Sequence, residues 1–142
     1  MIVWRSLSSL SKPLAAAVLM LALVGCSSRK SVVPVRGKVF LGGKPADGAL
    51  VVFNPVGEND PNVVRPQGTV GRDGTFEMST YKENDGVPPG EYNVSFVWLI
   101  ENPKTKKEWS PLPARYMDPK NSGVRVTINE GANDLQPFAL TR

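Results

Sequence analysis

From residue 32 to the end of the chain, short apolar runs repeat at a spacing of two and are cut at close intervals by Gly and Pro. No stretch after residue 26 carries a helical period of useful length. A period of two is the mark of a half-buried strand, so this pattern confines the chain to β architecture. Val33, Val35, Gly37 and Val39 alternate with Pro34, Arg36 and Lys38. A turn cluster follows at 41–45, and Asp47-Gly48 is a second turn signal. Residues 49–53 are apolar on both faces and read as a central strand, and the proline-bearing stretch 54–66 reads as a loop. Residues 68–70 and 75–79 flank Asp73-Gly74, which supplies the positive φ of a tight hairpin turn. After a polar loop closed by Pro88-Pro89-Gly90 comes the clearest strand, with Tyr92, Val94, Phe96 and Trp98 on one face. Residues 101–110 are charged and read as exposed, and 111–117 as irregular or an edge, because proline cannot donate to a ladder. Val124, Val126 and Ile128 alternate again, Gly131 marks a turn, and 135–140 form the last strand. About seven short strands spaced by turns predict a single antiparallel β-sandwich over residues 33–142.

The first 25 residues are of another kind. Arg5 and Lys12 give a basic start, and the uncharged run from residue 13 to 24 has the length of a signal-peptide core, short for a membrane span. It ends in Leu23-Val24-Gly25-Cys26, a tetrad that resembles the lipobox of bacterial lipoproteins. The resemblance implies cleavage before Cys26 and a thioether-linked diacylglycerol, with further acyl chains such as palmitate, on that cysteine. Each buried methylene contributes about 0.8 kcal/mol, so two or three chains make attachment effectively permanent. A plain signal peptide with an incidental cysteine is the alternative. On the lipobox reading, residues 26–32 are the lipidated cysteine and a short tether. The polar stretch 27–31 reaches only about 20 Å at ~3.3–3.6 Å per residue. Arg29 and Lys30 read as a solvated spacer, or as contacts to anionic headgroups. Ser27 and Ser28 replace the aspartate that holds some lipoproteins at the inner membrane, which favours the outer one.

Composition excludes several functions. The chain has no His and one Cys, so Ser-His-Asp and Cys-His hydrolases, His-based metal or haem sites, internal disulfides and Cys-based clusters are out. Without Arg5 and Lys12, 15 basic residues face 13 acidic ones, too small an excess to suggest nucleic acid. Ser/Lys and carboxylate pairs lack any recognisable catalytic spacing, and no enzyme activity is expected.

The motif order is similar to that of carboxypeptidase regulatory-like domains, which have a transthyretin-like, Ig-like sandwich. The residues concerned are Val35-Arg36-Gly37-Lys38-Val39, then Gly43-Lys44-Pro45-Ala46-Asp47-Gly48-Ala49, the hairpin from Thr69 through Phe76, and Pro89-Gly90-Glu91-Tyr92-Asn93-Val94. The tail, with Pro113-Ala114-Arg115-Tyr116-Met117-Asp118-Pro119 and Gly131-Ala132-Asn133-Asp134-Leu135, resembles a group of small bacterial lipoproteins. The resemblance implies a non-catalytic structural or accessory module at the cell envelope, with an envelope protein or surface polysaccharide as partner and no cofactor beyond the lipid.

Four groups of residues are candidates for chemistry. Tyr92, following a tight corner, is expected to bond nearby backbone through its hydroxyl. Glu58, Asn59 and Asp60, with Glu83, Asn84 and Asp85, form two acidic loops that invite a calcium reading, but neither has EF-hand spacing and both read as solvated turns. Trp98 continues an apolar face and reads as core. Trp109, beside the basic run Lys104-Thr105-Lys106-Lys107, reads as a packing lid or, failing that, as a surface aromatic. The alternative function is a carbohydrate-binding module using Trp109 with help from Tyr81 and Tyr116.

Overall fold

The computed structural model describes residues 29–142. The expected signal peptide of residues 1–25, the expected lipobox Leu23, Val24 and Gly25, and the expected lipidation site Cys26 lie outside the described residues. Among the described residues no helix is long and apolar enough to cross a membrane.

The elements in chain order are β1 (Val35–Leu41), β2 (Lys44–Pro45), β3 (Leu50–Pro55), β4 (Gln67–Thr69), β5 (Thr75–Glu77), β6 (Gly90–Val97), β7 (Ile100–Glu101), β8 (Glu108–Trp109), a 3₁₀ turn (Ala114–Met117), β9 (Arg125–Ile128), β10 (Asn133–Asp134) and β11 (Phe138–Leu140). They make a β-sandwich. In the first sheet β1 is central, with β5 and β2 on one side and β10 and β11 on the other. The second sheet runs β4-β3-β6-β9. Between them lie Val35, Val39, Phe76 and Leu140 from the first sheet, and Val51, Phe53, Val94, Phe96 and Ile128 from the second, all buried. The alternation in β1 has the predicted sense: Val35, Gly37, Val39 and Leu41 face in, Arg36 and Lys38 face out.

Three expectations are corrected. Among the described residues eleven short strands replace about seven, because two-residue ladders form at β2, β7, β8 and β10, where the turn-rich sequence reads as loop. The first sheet is mixed rather than antiparallel, since β10 and β11 both pair parallel to β1. The cause is topological: β9 runs antiparallel to β6, and the chain reverses at Gly131 (φ +86°) and crosses to the first sheet. It therefore arrives beside β1 running the same way. Finally, the hairpin about Asp73-Gly74 does reverse the chain, with Gly74 at φ +86°, but its arms join different sheets. β4 pairs with β3 and β5 with β1, and the two arms are joined by a Gln67–Ser79 bridge. At this corner Gly68 lies against β5: a Cβ there would sit 2.5 Å from the Glu77 carbonyl oxygen.

The direction of β6 defines two poles. Its start faces Pro55 and Ile128, and its end faces Leu50. The chain enters at the starting pole, where Val33 pairs with Val87. The β7–β8 hairpin follows the far end, eight residues later, or roughly 25 Å at about 3.3 Å per residue.

Candidate functional site

At the entry pole, polar side chains organise the backbone. The Tyr92 hydroxyl, buried in the core, donates to the Pro88 carbonyl at 2.7 Å, the predicted corner. Burial pushes the phenol's pKa up. Tyr92→Phe keeps the ring against Phe53 (centroids 5.6 Å apart) but orphans a carbonyl. The expected loss is about 1–2 kcal/mol, read by urea unfolding with an unchanged slope.

Asp85 is not a solvated turn residue. Its carboxylate accepts from the backbone N–H groups of Thr80 (2.7 Å), Tyr81 (3.0 Å) and Lys82 (3.0 Å). Burial works to raise its pKa, but the three donors outweigh it and hold it below the usual carboxylate value. In the other acidic loop, Glu58 and Asp60 accept from the N–H groups of Asp60 and Asn62. Among the described residues no three His, Cys, Asp or Glu groups converge as metal ligands. Both loops spend carboxylate oxygens on their own backbone.

The aromatics proposed to help Trp109 are engaged by other partners. Tyr81 belongs to the entry pole, where its hydroxyl accepts from the Lys30 backbone N–H at 3.0 Å and the Arg29 guanidinium lies 5.5 Å from its ring centre. Arg29 and Lys30 thus dock on the sandwich instead of acting wholly as spacer.

Tyr116 is only 5% exposed, which corrects its assignment as a surface contact. The 3₁₀ turn presents it to Phe96, edge to face at 6.0 Å, with Arg115 stacked 4.7 Å above its ring. Its hydroxyl oxygen accepts from Arg115 Nη2 and the Thr141 N–H, both at 3.0 Å. Leu112 is buried beside it in the sequence, so the stretch, irregular as expected, sends two side chains into the core. Burial acts to raise the phenol's pKa, but the donors from Thr141 and Arg115 favour the phenolate and bring it down to about 8. A folded-state pKa near 8 against an unfolded value of 10.0 means phenolate stabilisation is fully present above the unfolded value and lost as pH falls through the folded one. The stability advantage of wild type over Tyr116→Phe should therefore widen as pH rises from about 8 to about 10. Phenolate absorbance should resolve one early-titrating tyrosine that the variant lacks.

Trp109 is 53% exposed, so it is not a packing lid; it is the surface aromatic. It pairs across β8–β7 with half-buried Ile100, and Leu99, one residue further back, is 52% exposed. The turn between is held by Asn102, whose side-chain oxygen accepts from the N–H groups of Lys104 and Thr105. Lys106, at φ +58°, pairs with Glu101 at 3.1 Å. Trp98 is partly buried and packs on the core, as expected.

An open groove of about 910 Å³ crosses the outer face of the first sheet, lined in part by Arg36, Lys38, Glu77 and Asp134. Its charges form a row set by register, since Arg36 stands opposite Asp134 on one side and Glu77 on the other. Arg36 and Asp134 make a two-pronged ion pair. That pairing raises the guanidinium's pKa and lowers the carboxyl's. Sequence reading did not find this groove. The outward alternation of Arg36 and Lys38 was visible, but not which carboxylates the parallel crossover would set beside them.

No protein-family model matches this chain, and no curated protein matches it. Among solved structures, a DUF3823 family protein from Parabacteroides merdae is similar over 80% of this chain, at 16% identity and a TM-score of 0.41. A 9R-lipoxygenase from Cyanothece is similar over 78%, at 12% identity and a TM-score of 0.36. The chain spans 46% of the first protein and 16% of the second.

Proposed function

We propose that this protein is a lipid-anchored, extracytoplasmic accessory module, a transthyretin-like sandwich of the carboxypeptidase regulatory-like kind with a non-catalytic role at the cell envelope. The observation that carries the reading is the polarity of the sandwich. The chain enters at one pole beside Tyr81, while the hairpin bearing Trp109 projects from the other. With Leu23-Val24-Gly25-Cys26 a few residues upstream of that entry, a lipid on Cys26 would hold the entry pole against the membrane and turn the hairpin outward. The non-catalytic role is supported by how the perturbed titratable groups are used. Asp73, Asp85, Tyr92 and Tyr116 each bond nearby backbone or a neighbouring side chain, and Arg36 and Asp134 bond each other.

Palmitate labelling of cells making the full chain tests the anchor. A labelled mature band that disappears in Cys26→Ala, with the protein leaving the membrane fraction, is the expected result. An unlabelled protein that fractionates identically with and without Cys26 overturns the anchoring. Crosslinking in intact cells then identifies neighbours, which should be lost with the tether.

A further inference from the structure

We infer that the β7–β8 hairpin is a binding site for an anionic polysaccharide, with Trp109 as the stacking platform and Lys104 and Lys107 as the charge contacts. Two of the large exposed hydrophobic side chains, Leu99 and Trp109, fall on or beside this one short hairpin. A two-residue ladder gains little by exposing a tryptophan to water, which makes the exposed indole the feature of this hairpin that a bound ring would explain. Ile100 backs the indole from the paired position. Lys107 stands two residues before Trp109, and the Asn102 N–H to Lys107 carbonyl bond (2.9 Å) continues the ladder to it. At that spacing it shares the tryptophan's face, about 6.6 Å along the strand. Lys106 is committed to Glu101, whereas Lys104 and Lys107 have no carboxylate within ion-pair distance among the described residues.

The chemistry that fits is a ring to stack on the indole, bearing or adjoining an anionic group within reach of a lysine. A folded protein partner fits less well, since a stable interface needs roughly 800 Å² on each side and this hairpin is two residues wide on each strand. A bilayer would suit tryptophan and lysine equally well. The direction of the pole decides against it, and on this point alone the inference rests on the anchored reading. A membrane holding the entry pole lies a sandwich length away from the hairpin.

The test does not depend on the anchor. Among the described residues the core lies between Val33 and Leu140, so residues 29–142 carry a core of their own, as a unit that folds alone requires. That domain is applied to immobilised polygalacturonate, neutral dextran and phosphatidylglycerol vesicles at graded salt. Retention on polygalacturonate above that on dextran is expected, falling about tenfold in Trp109→Ala and several-fold in Lys104→Ala/Lys107→Ala with a flatter salt dependence. Lys82→Ala/Lys120→Ala serves as a control of equal charge loss and should change little. Equal loss in that control, retention indifferent to Trp109, or no retention at all overturns the site. Tighter binding to vesicles with the same Trp109 dependence also overturns it, in favour of a membrane contact. Unchanged circular dichroism in each variant separates binding from folding.

Discussion

Gly86→Ala should cost about 3 kcal/mol or more and lower Tm by over ~10 °C, the largest effect of any glycine substitution in the chain. Gly86 sits at φ +106°, where an L side chain is strained. Its ideal Cβ would fall 1.9 Å from the Val33 carbonyl oxygen and 2.4 Å from the carbonyl carbon. Both are backbone atoms that no rotamer change can move aside. Val33 and Val87 exchange two hydrogen bonds of 2.9 Å at this place, and relief of the clash breaks both. The shift also reaches Pro88, whose carbonyl anchors Tyr92. Gly131→Ala supplies the comparison: its φ is +86°, but nothing lies within 4 Å of the new Cβ, so it should lose only about 1 kcal/mol. Thermal unfolding of the two variants decides the matter, and equal losses would show that φ, not the approach of residue 33, governs the site. Limited proteolysis should also cut residues 29–34 readily in Gly86→Ala and not in Gly131→Ala.

How much of this was legible in the sequence depended on whether the signal was local. The strand at β6 was plain because Tyr92, Val94 and Phe96 repeat at a spacing that only a pleated strand satisfies, and all three are buried. The Tyr92 corner was equally local, since donor and acceptor are four residues apart. The parallel placement of β10 and β11 was not legible. It depends on where the chain lands after crossing between sheets, and Asn133, Asp134 and Phe138 carry no periodicity that says so. The β7–β8 ladder was hidden for a related reason. Glu101 and Glu108 face each other across it, a pairing that charge patterning argues against, and the Lys106–Glu101 contact offsets it.

The site divided the same way. Trp109 was identifiable as an aromatic amid charge, but exposure is a tertiary property, and two readings stayed open until the hairpin was seen to stand clear of the core. Tyr81 and Tyr116 were grouped with it on residue type alone. Their fates were set by long-range partners: Lys30 and Arg29 for the one, Phe96 and Thr141 for the other. Asp85 looked like an ordinary acidic loop residue because its three acceptor bonds run to backbone, which leaves no trace in side-chain pattern.

One of those long-range partners, Phe96, is the side chain whose removal is the second large effect. Phe96→Ala should destabilise the sandwich by about 3–5 kcal/mol, whereas Phe96→Leu should lose about 1–1.5 kcal/mol. Phe96 is fully buried on β6, in register with Val51 of β3. Its ring lies at a steep angle to two others, Tyr116 at 6.0 Å and Phe138 at 5.6 Å. Phe138 in turn stacks on Phe76 of β5. The one ring therefore ties the second sheet to both flanks of the first and to the 3₁₀ turn, and the cavity left by alanine cannot close from any single side. A cavity of purely local consequence would leave Tyr116 held by Arg115 and Thr141. If Phe96 instead seats the 3₁₀ turn, Phe96→Ala should return the Tyr116 phenol from about 8 toward its ordinary value of 10.0. A double-mutant cycle with Tyr116→Ala should then give a coupling of about 0.5–1.5 kcal/mol. Additive losses with an unmoved tyrosine titration would sink that account and reduce Phe96 to one core residue among many.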